Sequence, residues 1–490
     1  MKGRDFYSPT LKLTFNFKID PEVLHGIIGL VLMLAATFCF SAPAVAGTME
    51  ENEVTAKLGE FEERLKRLEE QQRSQEKEAS NSQARSTATL EVQELRRQLD
   101  ILAAEVEKLR SGEQQIEVSE EKAKSLGVGP SAASVYRKTQ GVSIAGYGEM
   151  LYENFADKNE RKDVTGKSSQ LDFVRMILYA GYRFNDKFLF NSEVEFEHAS
   201  TSKEGSASVE FAYLDYLATD YLALRAGLLL VPMGLTNEFH EPNVFLGAHR
   251  PETETRIIPS TWRENGFGVV GSAGIFNYRA YLINGLNAGG FSSNGLRGGR
   301  QKGSKTKASD LAFVGRLDVA PTPGVFFGGS LYRGGSGQDQ FNVNGKNLDV
   351  NTTIGELHVQ LQLRGFDLRT LYARAAVDDV AELNQALGLG GKKSVGEAMQ
   401  GGYVQIGYNL LSQFHETIGL SPYYRFEKVN TQDELPQGFF ADPARDRTFH
   451  TLGFEFRPIF NIVLKTDYLW IRNEAKSGLN QFNMALGYTF

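Results

Sequence analysis

Lys187 to His198 reads KFLFNSEVEFEH. Phe188, Phe190, Val194 and Phe196 fall on one side of an extended chain, and Asn191, Glu193, Glu195 and Glu197 on the other. Side chains alternate faces along a strand, so a period of two sorts an oily side from an acidic one. Three glutamates sharing a side repel one another unless that side meets water. The run is about ten residues long, where a strand of a soluble sheet has roughly five or six.

Working outward, the same alternation recurs. Leu357, Val359 and Leu361 oppose Glu356, His358 and Gln360. Ile418, Leu420, Tyr424 and Phe426 oppose Thr417, Arg425 and Glu427. At the chain's end Phe482, Met484, Leu486, Tyr488 and Phe490 oppose Gln481, Asn483 and Thr489. Sixteen such segments start near residues 142, 170, 187, 206, 221, 266, 276, 310, 325, 350, 366, 398, 416, 447, 461 and 480. Short joints, such as Asn185-Asp186, Thr219-Asp220, Pro321 to Gly324 and Pro458 to Asn461, separate long polar ones. The long ones are Ala156 to Ser169, Met233 to Asn265, Leu286 to Ser309, Gly335 to Asp349, Asp378 to Glu397 and Asn430 to Asp446. Even strand number and this parity describe an all-β transmembrane barrel of about 16 antiparallel strands, occupying 141–490. In hydrocarbon every backbone N–H must be paired within the protein, which a closed sheet achieves. A cylinder of sixteen strands is too wide for side chains to fill, so an aqueous interior is expected. Both ends then lie in the periplasm and the long connections outside the cell.

Composition separates this region from what precedes it. Of 490 residues, 41% are hydrophobic and 23% charged, and a net charge of −7 argues against a nucleic-acid partner. From residue 140 onward lie 42 of the 50 glycines and 46 of the 54 aromatics. The single cysteine, Cys39, excludes a disulfide scaffold. After residue 46 no run reaches the ~18 apolar residues of a membrane-spanning helix. Ile27 to Phe40 is an apolar run preceded by Lys2, Arg4, Lys12 and Lys18 and followed by Ala44-Val45-Ala46. It reads as a signal peptide, residues 1–46, cleaved between Ala46 and Gly47; an uncleaved anchor is the competing reading. Val54, Leu58, Phe61, Leu65 and Leu68, then Val92, Leu95, Leu99, Leu102, Val106 and Leu109, mark heptad seams. They predict a periplasmic α-helical coiled coil over 47–110; a solvated helix without a partner is the alternative. Residues 111–140 carry no period and read as linker.

The barrel region resembles the phosphate-selective porin O and P family of trimeric outer-membrane porins. Three stretches carry the resemblance: SIAGYGEMLYENF (Ser143 to Phe155), LRAGLLLVPMGLTNEF (Leu224 to Phe239) and the terminal aromatic strand. It implies a homotrimer in the bacterial outer membrane, in contact with lipid and lipopolysaccharide. It also implies that Tyr488 and Phe490 are the signal presented to the barrel-assembly machinery. Members of that family line their channel with arginines and a central lysine. The predicted inward faces here carry Arg175, Arg183, Arg225, Arg316, Arg369, Arg425, Arg457 and Lys465, but also Glu149, Glu193, Glu195, Glu197, Glu356, Glu427 and Asp467. From residue 141 on there are 34 basic and 38 acidic residues. Rings of one sign select ions, whereas mixed signs make a transverse field that orients small polar solutes, so phosphate selectivity is not carried over.

Met233 to Asn265 is the longest connection and the third on the outer side. It is expected to fold inward as a constriction, with Glu238, His240, Glu241, His249, Arg250, Glu252, Glu254 and Arg256 facing the passage; an external lid is the alternative. Arg297, Arg300, Lys302, Lys305 and Lys307 form a basic loop that suits lipopolysaccharide phosphates or anions at the mouth, or is simply solvated.

Chemistry is not indicated. Gly298 to Thr306 (GGRQKGSKT) resembles a P-loop, but Ser304 replaces the required lysine. The histidines show no metal-ligand spacing, and Asp433, Glu434, Asp442 and Asp446 read as a solvated acidic loop rather than a calcium site. No cofactor and no catalytic group are expected. The expectation is passive diffusion of small hydrophilic solutes or inorganic ions; the alternative is an envelope tether working through its coiled coil.

Overall fold

The computed structural model describes residues 120–199, 205–343, 345–415 and 417–490. The expected signal peptide with its Ala46–Gly47 cleavage site, the coiled coil and the first residues of the linker lie outside them.

Sixteen strands form the barrel: β1 (Gly141–Phe155), β2 (Gln170–Arg183), β3 (Phe188–Glu197), β4 (Ala207–Leu217), β5 (Leu222–Leu230) and β6 (Arg263–Ala273). They continue through β7 (Phe276–Asn284), β8 (Leu311–Thr322), β9 (Val325–Gly334), β10 (Thr352–Leu363) and β11 (Phe366–Val377). β12 (Ala398–Tyr408), β13 (Gly419–Glu434), β14 (Asp446–Ile459), β15 (Ile462–Asn473) and β16 (Gln481–Thr489) complete it. Every strand pairs antiparallel with its sequence neighbour, and β1 closes the cylinder on β16, with Tyr147 opposite Thr489 and Phe155 opposite Gln481. A two-residue hairpin, Asn342–Val343 with Lys346–Asn347, stands apart in a long connection.

Local chemistry sets the tight turns. Arg364 and Gly365 both have positive φ, 51° and 87°, as a two-residue hairpin turn demands. Asn185 Oδ1 accepts from the backbone N–H groups of Lys187 and Phe188, both at 2.9 Å. The alternation sorts the wall as the sequence predicts. In β10, Leu357 is 69% exposed on the outer face, while its neighbours Glu356 and His358 are 4% and 2% exposed inside. Ile144, Leu171, Phe267, Phe313 and Phe366 extend this oily exterior. An apolar surface of that extent on the outside of a closed sheet is what hydrocarbon accepts and water does not.

The interior holds one segment that was expected there and one that was not. The wall's side chains alone do not fill it; two chain segments enter it. One is 231–262, the connection between β5 and β6. The other is 120–137, expected to be linker, which forms a helix, α1 (Glu120–Leu126), and a 3-10 turn (Ala132–Arg137). Ala123, Val128, Ala132, Ala133 and Val135 of this segment are buried with Leu235, Phe239, Ile257, Ile258 and Trp262 of the loop in one apolar cluster with the wall. The hydrophobic core therefore lies inside the barrel. Each such valine, leucine, isoleucine or phenylalanine contributes ~1.5–3 kcal/mol when removed from water. A further difference concerns Arg263 and Glu264, which the sequence placed in the loop and which begin β6.

Candidate functional site

The loop after β5 begins at Val231, whose N–H bonds the carbonyl of Trp262, so its two ends are clasped together. Asn237 reinforces the clasp: its Nδ2 donates to the carbonyls of Val231 (2.7 Å) and Trp262 (2.9 Å), and its Oδ1 accepts from Trp262 N–H (2.6 Å). From there the loop crosses the lumen. A short helix, α2 (Glu252–Arg256), sits against β12 and β13.

The wall reaches inward to hold it. Glu238 lies beside Arg279 (3.1 Å) and Arg316 (3.7 Å). Arg316 also donates to the carbonyl of Gly234 (2.5 Å). Both arginines share Asp318, at 2.9 and 2.8 Å, and His358 bridges Asp318 to Glu356. On the other side of the loop Arg369, Arg457 and Lys465 donate to the carbonyls of Val244 (2.7 Å), Asn243 (2.9 Å) and Phe245 (2.6 Å). Asp467 accepts from Ala248 N–H (2.8 Å), Tyr423 (2.7 Å) and Asn483 (2.7 Å). Glu427 accepts from the N–H groups of Glu252 and Thr253 at the start of α2. Backbone polar groups that a loop in water would leave to solvent are thus satisfied by wall side chains.

The loop's own ionisable groups take different environments. His240 is 3% exposed; its Nδ1 donates to Asn237 O (2.8 Å), and Nε2 faces Glu193 Oε1 at 3.0 Å, a contact that needs one proton between the two. Burial, with the positive charge of Arg250, pushes this imidazole down to about 3, so it is neutral. Burial pushes Glu241 up to about 7, against hydrogen bonds from Ser131. Glu254 is likewise raised by burial, while Tyr403 (2.7 Å) and Thr236 hold it by hydrogen bonds. His249 is raised: burial opposes the charge, but the carboxylates of Glu153 at 3.3 Å, Asp467 and Glu252 together outweigh it. Burial and the charge of Arg175 lower Arg250. Glu252 and Arg256 pair with each other along α2.

Among the predicted wall residues, Arg175 lies between Glu149 (3.3 Å) and Glu195 (3.4 Å). Arg225 is paired with Asp215 at 2.8 Å. Arg425 reaches Gln405 and the carbonyl of His249. Glu356 also accepts from Ser330, and Glu197 from Ser206. The three glutamates of β3 were expected to need water; instead Glu193 meets His240 and Glu195 meets Arg175. Arg183 sits at the barrel rim, where it donates to the carbonyls of Asn185 and Asp186. The basic loop splits: Arg300 donates to the carbonyl of Thr261 inside the barrel, while Lys302, Lys305 and Lys307 are less committed. Arg297 is exposed. In the acidic loop Asp433 and Glu434 pair with Arg374, Asp442 with Arg445 and Asp446 with Lys428. At the chain's end, Phe490 and Gly146 exchange both backbone hydrogen bonds (2.8 and 2.9 Å), while Tyr488 lies opposite Gly148.

Sequence reasoning missed Arg279 and Glu210 as interior charges; Glu210 pairs with Arg263, which was expected in the inward loop. Arg279 was readable: Asn277, Arg279 and Tyr281 alternate against Phe276, Tyr278, Ala280 and Leu282. It also missed the role of 120–137, for which the signal was Gly127-Val128-Gly129-Pro130 followed by a small apolar cluster.

No family model matches the chain. An uncharacterized protein of Aquifex aeolicus is 35% identical over 375 residues, covering 74% of this chain and 83% of that one. The chain belongs to the same family as that protein. Among solved structures, a loop L8 deletion mutant of OmpT, an outer membrane protein of Vibrio cholerae, covers 72% of this chain at 14% identity and a TM-score of 0.45, with 100% of its own length matched. An anion-selective porin from Comamonas acidovorans covers 72% at 12% identity and a TM-score of 0.44, again over 100% of its own length. The sixteen-stranded closure itself stands on the strand pairing described above.

Proposed function

We propose that this chain is a porin of the bacterial outer membrane, through which small hydrophilic solutes and ions diffuse down their gradients. The observation that carries the reading is the sorting of the wall: apolar side chains outside, and a charged, hydrogen-bonded interior threaded by the 231–262 loop. With sixteen strands the start of β1 and the end of β16 share one side, the periplasm, and the long connections lie outside. The loop is the constriction. Its backbone is pinned on both sides of the lumen, so the passage has a fixed width set by chain rather than by mobile side chains.

The interior arginines support a general solute pore rather than a phosphate-selective one. Arg225, Arg279, Arg316, Arg369 and Arg457 each lie within 3.1 Å of a carboxylate oxygen, so no uncompensated ladder of positive charge runs along these strands. The trimer implied by the resemblance, and assembly through the aromatic C-terminal strand, belong to this reading.

Liposome swelling tests it. Purified protein reconstituted into vesicles should admit small sugars and amino acids at rates that fall steeply with solute size. Vesicles that hold the folded barrel yet swell no faster than protein-free ones would refute the reading.

A further inference from the structure

We propose that residues 120–137 are a plug built into the lumen, which closes the β1–β9 sector of the mouth at the short-turn end and limits what the pore conducts. The proposal rests on the pore reading above.

The segment is fitted to its seat. Gly127 has φ +68°, in the left-handed region, and a Cβ there would collide with Arg279 and Glu238; one at Gly129 would collide with Glu241. On the wall, Gly181 leaves the space that Val135 occupies, its hypothetical Cβ standing 2.6 Å from Val135 Cγ2. The segment is held by side chains of five elements. Arg279 donates to the carbonyl of Lys124, Arg225 to that of Leu126 (3.1 Å) and Asn191 to that of Ala132 (2.9 Å). Ser131 N–H bonds Glu241 (2.9 Å). Tyr136 donates to Asp215 (2.6 Å) and accepts from Arg225 (2.8 Å). A linker merely passing the mouth would leave its carbonyls to water; these are taken by buried guanidinium and amide groups.

Its anchors come from β3, β4, β5 and β7 and from the constriction loop, and Lys124 lies over the ring of Phe326 on β9. The opposite sector is different. A cavity of about 350 Å³ lies there, lined by Asn243 of the loop, Asp367, Arg369, Ser421, Glu455 and Arg457. Asp367 pairs with Arg369 (2.7 Å) and Glu455 with Arg457 (2.8 Å), so this exit carries both signs in equal number. The Oδ1 of Asn243 and one oxygen of Glu455 are buried acceptors without a hydrogen-bond partner.

Thiol labelling of the full-length chain tests the plug. With Cys39→Ser as parent, single cysteines at Asn191→Cys, beneath the plug, and Ser421→Cys, in the cavity, are challenged with a charged, membrane-impermeant maleimide. Ser421→Cys should react at least about tenfold faster, the factor that ~1.4 kcal/mol of local opening confers. Adding Gly181→Leu, which fills the seat of Val135, should equalise the rates and raise single-channel conductance. If that variant does not fold, Tyr136→Ala serves the same end. Equal labelling in the otherwise unaltered chain overturns the plug. A conductance that stays unchanged once Asn191→Cys reacts freely overturns its limiting role. Silence in every bilayer brings down the pore reading and that role with it, while protection of Asn191→Cys still reports the seat.

Discussion

Ser131 donates its backbone N–H (2.9 Å) and its hydroxyl (2.8 Å) to the two carboxylate oxygens of Glu241. The residues are 110 positions apart, one before the first strand and one in the middle of the longest connection. Their contact joins the two segments that occupy the lumen. It is also titratable, because burial raises the Glu241 carboxyl to about 7.

The sign of the pH effect follows. A carboxyl whose affinity for protons is raised in the docked state holds that state best when protonated. Docking should therefore be tightest below the ordinary carboxylate range and weaken as pH rises toward 7. Labelling of Asn191→Cys should quicken between about pH 5 and 7 and level off above that, after correction for thiol ionisation measured at Ser421→Cys. Glu241→Gln should flatten the profile. An identical profile in the Gln variant would remove Glu241 from the account.

Deleting 243–255 removes the part of the loop bonded to Arg369, Arg457, Lys465, Asp467, Glu427 and Tyr403. Single-channel conductance should rise severalfold. Conductance equal to that of the intact chain would mean that the loop does not form the narrowest point.

Arg279→Ala strands Asp318 and Glu238, both fully buried, beside a single remaining arginine. Breaking a buried pair by removing one partner costs about 3–5 kcal/mol. Urea unfolding followed by the fluorescence of Trp262 and Trp470 should shift its midpoint accordingly. A shift below about 1 kcal/mol would place the network in the range of exposed pairs.

Phe490→Ala keeps the backbone exchange with Gly146 but removes the ring that stands 47% exposed at the barrel's edge. The yield of folded barrel in the outer membrane should fall, while protein refolded in detergent should be little affected. Equal yields in cells would remove Phe490 from assembly.

The strands were legible because hydrocarbon enforces a strict period of two. Segments expected to start near 170, 276, 325, 366 and 398 begin at Gln170, Phe276, Val325, Phe366 and Ala398. The loop that enters the barrel was legible from its length and its place in the parity. What lay out of reach was pairing across the lumen, since nothing local links Glu238 to Arg279 or Ser131 to Glu241. Period-two reasoning also assigns an inward side chain to water by default. It cannot see that another piece of chain, such as 120–137, takes the water's place. Arg183 shows a smaller version of this: it has the right parity, but the nearby turn carbonyls hold it at the rim.

The central claim is that a wet passage runs through this barrel, and single-channel recording in a planar lipid bilayer tests it most directly. Purified, folded protein added at low concentration should produce discrete, uniform current steps that persist at low voltage. A bilayer that stays silent while heat-modifiable mobility and β-type circular dichroism confirm inserted, intact barrels would contradict the account.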